Sequence, residues 1–338
     1  MKQKNYLFPL LTATLLISLL LNIALGQVFI PIKEVLKSIF GLHPSKETWE
    51  YIILQFRIPK AITAILVGVG LSVAGLLMQT LFRNPLAGPD VLGLSSGASL
   101  GVAFVILAGE LFPKVLSSIF ISPIGVTLAS CFGSFVVLIL ISIASKNIRN
   151  TATILIIGLL FSSFTGAIIS VLTYFSSAEE LQKFLFWSLG SLGNLTFTKL
   201  YILSFFIFIG LLLALLSIKS LNGLLLGENY AQSLGINLKK SRYIILLSSS
   251  ILVGSCTAFV GPIAFVGLAV PHLAKIIFQT SNHTTLLLAT ILIGATLMLF
   301  CDTISQMPGF DFTLPINAIT SLFGAPVIIW LILQKRNF

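Results

Sequence analysis

Long unbroken apolar runs separated by short polar segments dominate the chain. They cover approximately residues 6–30, 58–82, 92–109, 121–144, 151–175, 197–218, 242–261, 263–279, 285–305 and 314–334. A helix that crosses a bilayer needs about 20 mostly apolar residues, so the pattern predicts ten crossings with both termini on one side. The third run is short, and only Gly261-Pro262 separates the seventh from the eighth. A transmembrane β-barrel would alternate apolar and polar residues instead. The predicted class is therefore all-α, a polytopic membrane protein forming a single transmembrane domain over 1–338.

Two stretches are too polar to cross. Residues 31–56 carry an amphipathic pattern (Ile32, Val35, Leu36, Ile39, Phe40), which predicts a segment lying along the outer surface. Residues 219–241 contain Lys219, Asn222, Glu228, Asn229, Gln232, Asn237, Lys239 and Lys240, with breaks at Gly227 and Gly235. They predict short helices at the inner surface. At the start, Lys2 and Lys4 precede an uncharged stretch from Asn5 to Ile32, which exceeds the apolar core of about 7–15 residues in a signal peptide. It is expected to be the first span.

Composition sharpens this picture. Hydrophobic residues make up 57% and charged residues 9% of the 338 residues, against roughly 25% charged in soluble domains. The net charge is +10, but the basic residues sit between apolar runs, where they set orientation. With the N-terminus inside, Lys146, Arg149, Lys219, Lys239, Lys240 and Arg242 all fall on the inner side. No basic patch with interleaved aromatics points to nucleic acid.

Most catalytic chemistry is missing. There is no G-x-x-x-x-G-K-[ST] loop for nucleotide phosphates, no H-E-x-x-H and no carboxylate pair. Cys131, Cys256 and Cys301 lie in apolar segments, and His43, His272 and His283 are scattered, so neither a disulfide nor a metal cage is expected. Gly93 to Gly97 reads Gly-x-Ser-x-Gly, but it opens a membrane helix rather than the strand-turn-helix of a hydrolase. Asp302 is the one acid inside a run. It is either an ion or proton site or a helix-end residue bonded to a neighbouring helix, and the lack of other ionisable groups favours the second. Thr151, Thr153, Ser162, Ser163, Thr165 and Ser170 give the fifth run a polar side, read either as interhelical glue or as a pathway lining. A faint repeat aligns Leu66-Val67-Gly68, Gly75 and Pro85 with Leu252-Val253-Gly254, Gly261 and Pro271, as an inverted transporter repeat would.

Residues 57–101, RIPKAITAILVGVGLSVAGLLMQTLFRNPLAGPDVLGLSSGASLG, together with GENYAQSLGIN at 227–237, GPIAFVGLAVPHLAK at 261–275, Leu314-Pro315 and FGAPVIIWLI at 323–332, strongly resemble the FecCD-type (BtuC-like) permeases of ABC importers for iron-siderophores, haem and vitamin B12. The resemblance runs in order over nearly the whole chain.

It implies a type II ABC importer permease fold in a bacterial cell membrane, with both termini cytoplasmic. The implied partners are a second permease subunit (the same or a homologous chain), two cytoplasmic ATPase subunits and an extracytoplasmic solute-binding protein. The chain itself would be no enzyme and bind no cofactor, with ATP and Mg on the ATPase. Iron(III)-siderophore is the expected cargo, ahead of haem and B12. By resemblance, Gly227, Glu228, Ala231, Leu234 and Gly235 would dock the ATPase, with Ala231 and Leu234 as apolar anchors. Asn84, Pro85 and Leu86, with Asn150 and Thr151, would form the cytoplasmic gate. Arg57 and Lys60 would receive acidic residues of the binding protein; Lys60 stands where Arg is commoner, and Gln306 where some members carry a further base. His272 is read as structural. The alternatives from other classes are an ion-coupled secondary transporter and a membrane assembly protein.

Overall fold

The structure, a computed structural model, describes residues 6–42, 44–107, 122–144, 151–193, 195–307 and 312–334. Among these residues every regular element is helical. In chain order they are α1 (Leu7–Ala24), α2 (Ile32–Ile39) and α3 (Glu47–Ile52), which continues through a π-helical turn at Ile53–Arg57 into α4 (Ile58–Leu81). There follow α5 (Leu94–Leu107), α6 (Pro123–Ala144), α7 (Thr151–Phe175), α8 (Ala178–Leu189), α9 (Phe197–Leu216), α10 (Ile218–Leu225) and α11 (Glu228–Ser233). The chain closes with α12 (Leu238–Val260), α13 (Val266–Phe278), α14 (His283–Ser305) and α15 (Ile316–Gln334). Seven helices are long and apolar enough to span a membrane, and α5, α13 and α15 are shorter apolar helices. Each corresponds to one predicted run.

The centre of the bundle is α4, buried without interruption from Val67 to Thr80. It packs against α9, α12, α13 and α14. Membrane helices gain little hydrophobic energy from leaving lipid, so they associate through close packing at small residues. A Cβ on Gly75 would fall inside the Gly267 carbonyl of α13, and one on Gly68 inside the Gly294 carbonyl of α14. Pro271 lies within α13; lacking an N–H, it leaves the Gly267 carbonyl without its intrahelical donor, and that carbonyl faces Gly75. Ser72 seals the α4–α14 crossing, its hydroxyl lying 3.2 Å from the Thr290 carbonyl.

Helices α12 and α13 are separated as the Gly261-Pro262 pair predicted. Gly261 follows α12 at φ +78°, and Phe265 precedes α13 at φ +68°. The polar stretch 219–241 folds into α10 and α11, divided by Gly227 at φ +113° and ended by Gly235 at φ +78°. In the 31–56 stretch, Val35 turns into the core while Ile32, Leu36, Ile39 and Phe40 stay exposed. Glu34 is held below the usual carboxylate range by Lys37 and the Ser45 amide.

Two expectations need correction. The helix α8 went unpredicted, although Ser177 and Glu180 form a reciprocal capping box that marks its start. The internal repeat does not extend to local structure. Gly75 is a mid-helix contact whereas Gly261 ends a helix, and Pro85 lies in a loop whereas Pro271 lies inside α13.

If the glycine crossing fixes the bundle, Gly75→Val should sharply reduce the folded, monodisperse fraction on size exclusion in detergent. Overpacking a core costs about 1–3 kcal/mol, and backbone here cannot give way. Gly166→Ala, in α7 where nothing lies within 4 Å, should leave that fraction unchanged.

Candidate functional site

The bundle has two polar ends. One carries Arg57, Lys60 and the C-terminal residues of α1 and α14. The other carries the loop 82–93, α10, α11 and the start of α14.

In the loop 82–93, Asn84 is buried and its side-chain oxygen accepts the Leu86 amide at 2.9 Å. This turn is one that Asn forms readily, and Pro85 cannot continue α4. Pro85 and Leu86 are half-buried. The loop is fastened to α13 on two sides. Gln79 donates to the Leu268 carbonyl at 3.1 Å and accepts from Lys275 at 3.1 Å. Asp90 accepts the Ser95 hydroxyl at 2.5 Å and the Phe265 amide at 2.9 Å, joining the starts of α5 and α13. Burial raises the Asp90 carboxyl above its usual range, and those two hydrogen bonds oppose the rise. Beside the loop lies a cavity of about 490 Å³ lined by Arg83, Asn84, Pro85, Leu225, His272 and Lys275, among others. Of the other two predicted gate residues, Asn150 lies outside the described residues, and Thr151 is the first residue of α7.

On α10 and α11, Leu226, Tyr230 and Leu234 are exposed. Glu228 is paired with Arg242 at 2.7 Å. Ala231 is fully buried against its own chain, beside Ile236 and Gly223. Its methyl is therefore no surface anchor, and Leu226 and Tyr230 supply the apolar area that sequence reasoning assigned to it.

At the opposite end, Arg57 is 8% exposed. The π-helical turn aims its guanidinium inward, where it donates to the carbonyls of Ile23 at 2.6 Å, Ala24 at 2.9 Å and Val28. These include carbonyls at the C-terminus of α1, which lack intrahelical donors. Lys60 pairs with Asp302 at 3.1 Å, the two side chains being 18% and 1% exposed. Asp302 also accepts from Asn22 at 2.9 Å and Gln306 at 2.9 Å. Asp302 is thus the helix-bonding residue of the second reading, and both basic residues are turned into the protein rather than held free on its surface.

Helix α7 keeps its polar groups local. The hydroxyls of Ser162, Ser163, Thr165 and Ser170 bond carbonyls of their own helix. None of these four bonds joins two helices, and Ile156, Leu159, Leu160 and Phe164 are exposed along the helix. Sequence reasoning missed the contacts of Asp90, and those of Thr80, Asn222 and His283. The polar residue types were visible, but their partners are far away in the chain.

Removing one member of a buried ion pair leaves the other uncompensated, at a cost of about 3–5 kcal/mol. Lys60→Met should therefore lower the thermal midpoint of the detergent-solubilised protein, and Lys60→Met with Asp302→Asn should recover most of the loss. Equal midpoints for the single and double variants would show that the pair contributes nothing.

The chain matches the model of the FecCD transport family over residues 14–334. It is 35% identical to the hemin transport system permease protein HmuU of Yersinia pestis, covering 97% of each chain. It is 32% identical to the vitamin B12 import system permease protein BtuC of Photorhabdus laumondii, covering 100% of this chain and 96% of that one. It is likewise 32% identical to the molybdate import system permease protein MolB of Haemophilus influenzae, covering 94% and 92%. Among solved structures, an inward-facing metal-chelate type ABC transporter superposes with a TM-score of 0.79 at 28% identity, covering 98% of this chain and 99% of that one. The helical architecture of the described residues and the end-to-end sequence match agree, and the chain belongs to the FecCD transport family of ABC importer permeases.

Proposed function

We propose that this permease carries an iron(III)-siderophore complex into the cytoplasm by alternating access, driven by ATP hydrolysis on separate subunits. The observation that carries the reading is the exposed apolar surface of Leu226, Tyr230 and Leu234 on two short helices at the end of the bundle that also holds the loop 82–93. An apolar patch on a polar end fits a protein partner, and an ATPase subunit is the partner that membership of an ABC importer permease family implies.

In this reading the α10–α11 end is cytoplasmic, which agrees with Lys239, Lys240 and Arg242 at the start of α12. Both termini then lie inside, and the chain is a multi-pass protein of a bacterial cell membrane. Two ATPase subunits, carrying ATP and Mg, dock on α10 and α11 of this chain and of a second permease, the same or homologous. The open face of α7 borders the pathway between the two permeases. Asn84, Pro85 and Leu86 close it from the cytoplasmic side, together with Asn150 and Thr151. Gly227 and Gly235 set the turns that present Leu234, and Glu228 fixes α11 through Arg242. The binding protein docks on the Arg57 end. Because Arg57 and Lys60 are committed to internal partners, their part there is to hold the docking surface in shape.

The cargo is the open element of the reading. The relatives are named for haem, vitamin B12 and molybdate, so haem and B12 are the first alternatives. An ion-coupled secondary transporter is disfavoured by Asp302, whose carboxylate is held by Lys60, Asn22 and Gln306.

Uptake of iron-labelled siderophores, haem and cobalamin should be compared in cells lacking the protein, with and without a restored copy. Loss of siderophore uptake alone, returning on complementation, is the expected result. Loss of haem or cobalamin uptake instead would reassign the cargo. Restoration with Leu234→Asp should return no more than about a tenth of the uptake, since burying an unpaired charge in an apolar contact costs several kcal/mol. Normal uptake by that variant would refute the ATPase contact.

A further inference from the structure

We propose that His283 is a positioning residue that transmits movement of the α10–α11 pair to the loop 82–93. This rests on the reading of α10 and α11 as the ATPase contact. His283 is the first residue of α14 and is 1% exposed. Its ring meets two other elements. One ring nitrogen, Nε2, lies 2.8 Å from the Thr80 hydroxyl in the last turn of α4. The other, Nδ1, lies 2.9 Å from the Asn222 side-chain oxygen in α10.

The donor and acceptor roles follow from the geometry. The His283 backbone N–H also points at the Asn222 Oδ1 atom, at 2.9 Å. A backbone N–H can only donate, so that Asn222 atom is the oxygen, an acceptor. Nδ1 must then carry a proton to bond the same oxygen. In the neutral ring Nε2 is left as an acceptor, and the Thr80 hydroxyl gives its single proton to it at 2.8 Å rather than to the Leu76 carbonyl of its own helix at 2.9 Å. One imidazole thus links α10 to α4, and Asn222 satisfies one of the unpaired amides at the start of α14.

The consequence is directional. Apolar contacts between α10 and α4 can slide, because dispersion has no preferred orientation. Buried hydrogen bonds cannot shift far without leaving a polar group unsatisfied. A displacement of α10 therefore pulls on Thr80 through the ring. Thr80 lies one turn before Asn84, and its neighbour Gln79 is bonded to Leu268 and Lys275 of α13. Movement reaching Thr80 is shared with α13, which also holds the loop through Asp90 and the Phe265 amide.

The test uses the complete transporter, reconstituted in proteoliposomes with its ATPase and binding protein. The readout is the amount transported per ATP hydrolysed, with labelled siderophore, haem or cobalamin as the probe, whichever the uptake assay restores. His283→Leu and Asn222→Leu should each lower this ratio roughly five- to tenfold, the equivalent of one buried hydrogen bond. His283→Gln, which can donate to Asn222 and accept from Thr80, should recover at least half of it. A merely structural role would reduce folded protein, transport and hydrolysis together and leave the ratio unchanged. If His283→Leu does not fold, Asn222→Leu and His283→Gln carry the test. Leu234→Asp is measured alongside. If Leu234→Asp uncouples and the His283 and Asn222 variants keep the wild-type ratio, the transmission role is overturned while the ATPase contact stands. If none of the variants changes the ratio, both are overturned.

Discussion

Backbone-to-backbone contact at Gly75 and Gly68 of α4 is the constraint on which the rest of the structure depends. In a bilayer no hydrophobic force drives one apolar helix against another, so closeness of approach decides which helices associate. The absent side chains at these two positions let the carbonyls of Gly267 and Gly294 reach the α4 backbone. That places α13 and α14 on two sides of one helix that is buried from Val67 to Thr80. Each polar end of the bundle then includes one end of α4 and one end of α14.

The two ends use polar chemistry differently. At the Arg57 end, charge is neutralised within the chain. Lys60 and Asp302 compensate each other, and Arg57 satisfies carbonyls that α1 leaves without donors. Such an end is rigid, because releasing any member strands a buried charge. At the opposite end, apart from the exposed Glu228–Arg242 pair, the bonds are neutral or singly charged and join separate elements. Asn84 shapes its own turn, Gln79 and Asp90 tie the loop to α13, and His283 ties α14 to both α4 and α10.

Family membership fixes the scaffold more firmly than the cargo. Relatives at 32–35% identity are named for haem, vitamin B12 and molybdate, molecules that differ greatly in size and charge. The hydroxyls of α7 bond their own helix and leave an apolar, weakly polar face. A surface of that kind offers few directional contacts, and in the proposed reading it lets a solute pass without recognising it closely.

The number, order and approximate ends of the membrane helices were set by the sequence alone, because the cost of burying unpaired backbone and charge in hydrocarbon acts locally along the chain. The breaks at Gly227, Gly235 and Gly261 were legible for the same reason, since each is a property of one residue's backbone. Even the missed helix α8 carried a local signal in Ser177 and Glu180. What only the tertiary structure decided was which way side chains point and whom they meet. Arg57 and Lys60 read as surface charges, yet a π-helical turn and a partner 242 positions away in Asp302 turned them inward. Ala231 and Leu234 read as equivalent anchors, yet one is buried and the other exposed. His283 read as a scattered histidine until folding brought Thr80 and Asn222 to its two nitrogens. These are long-range pairings, and periodicity and composition contain no information about partners that only the packing of helices brings together.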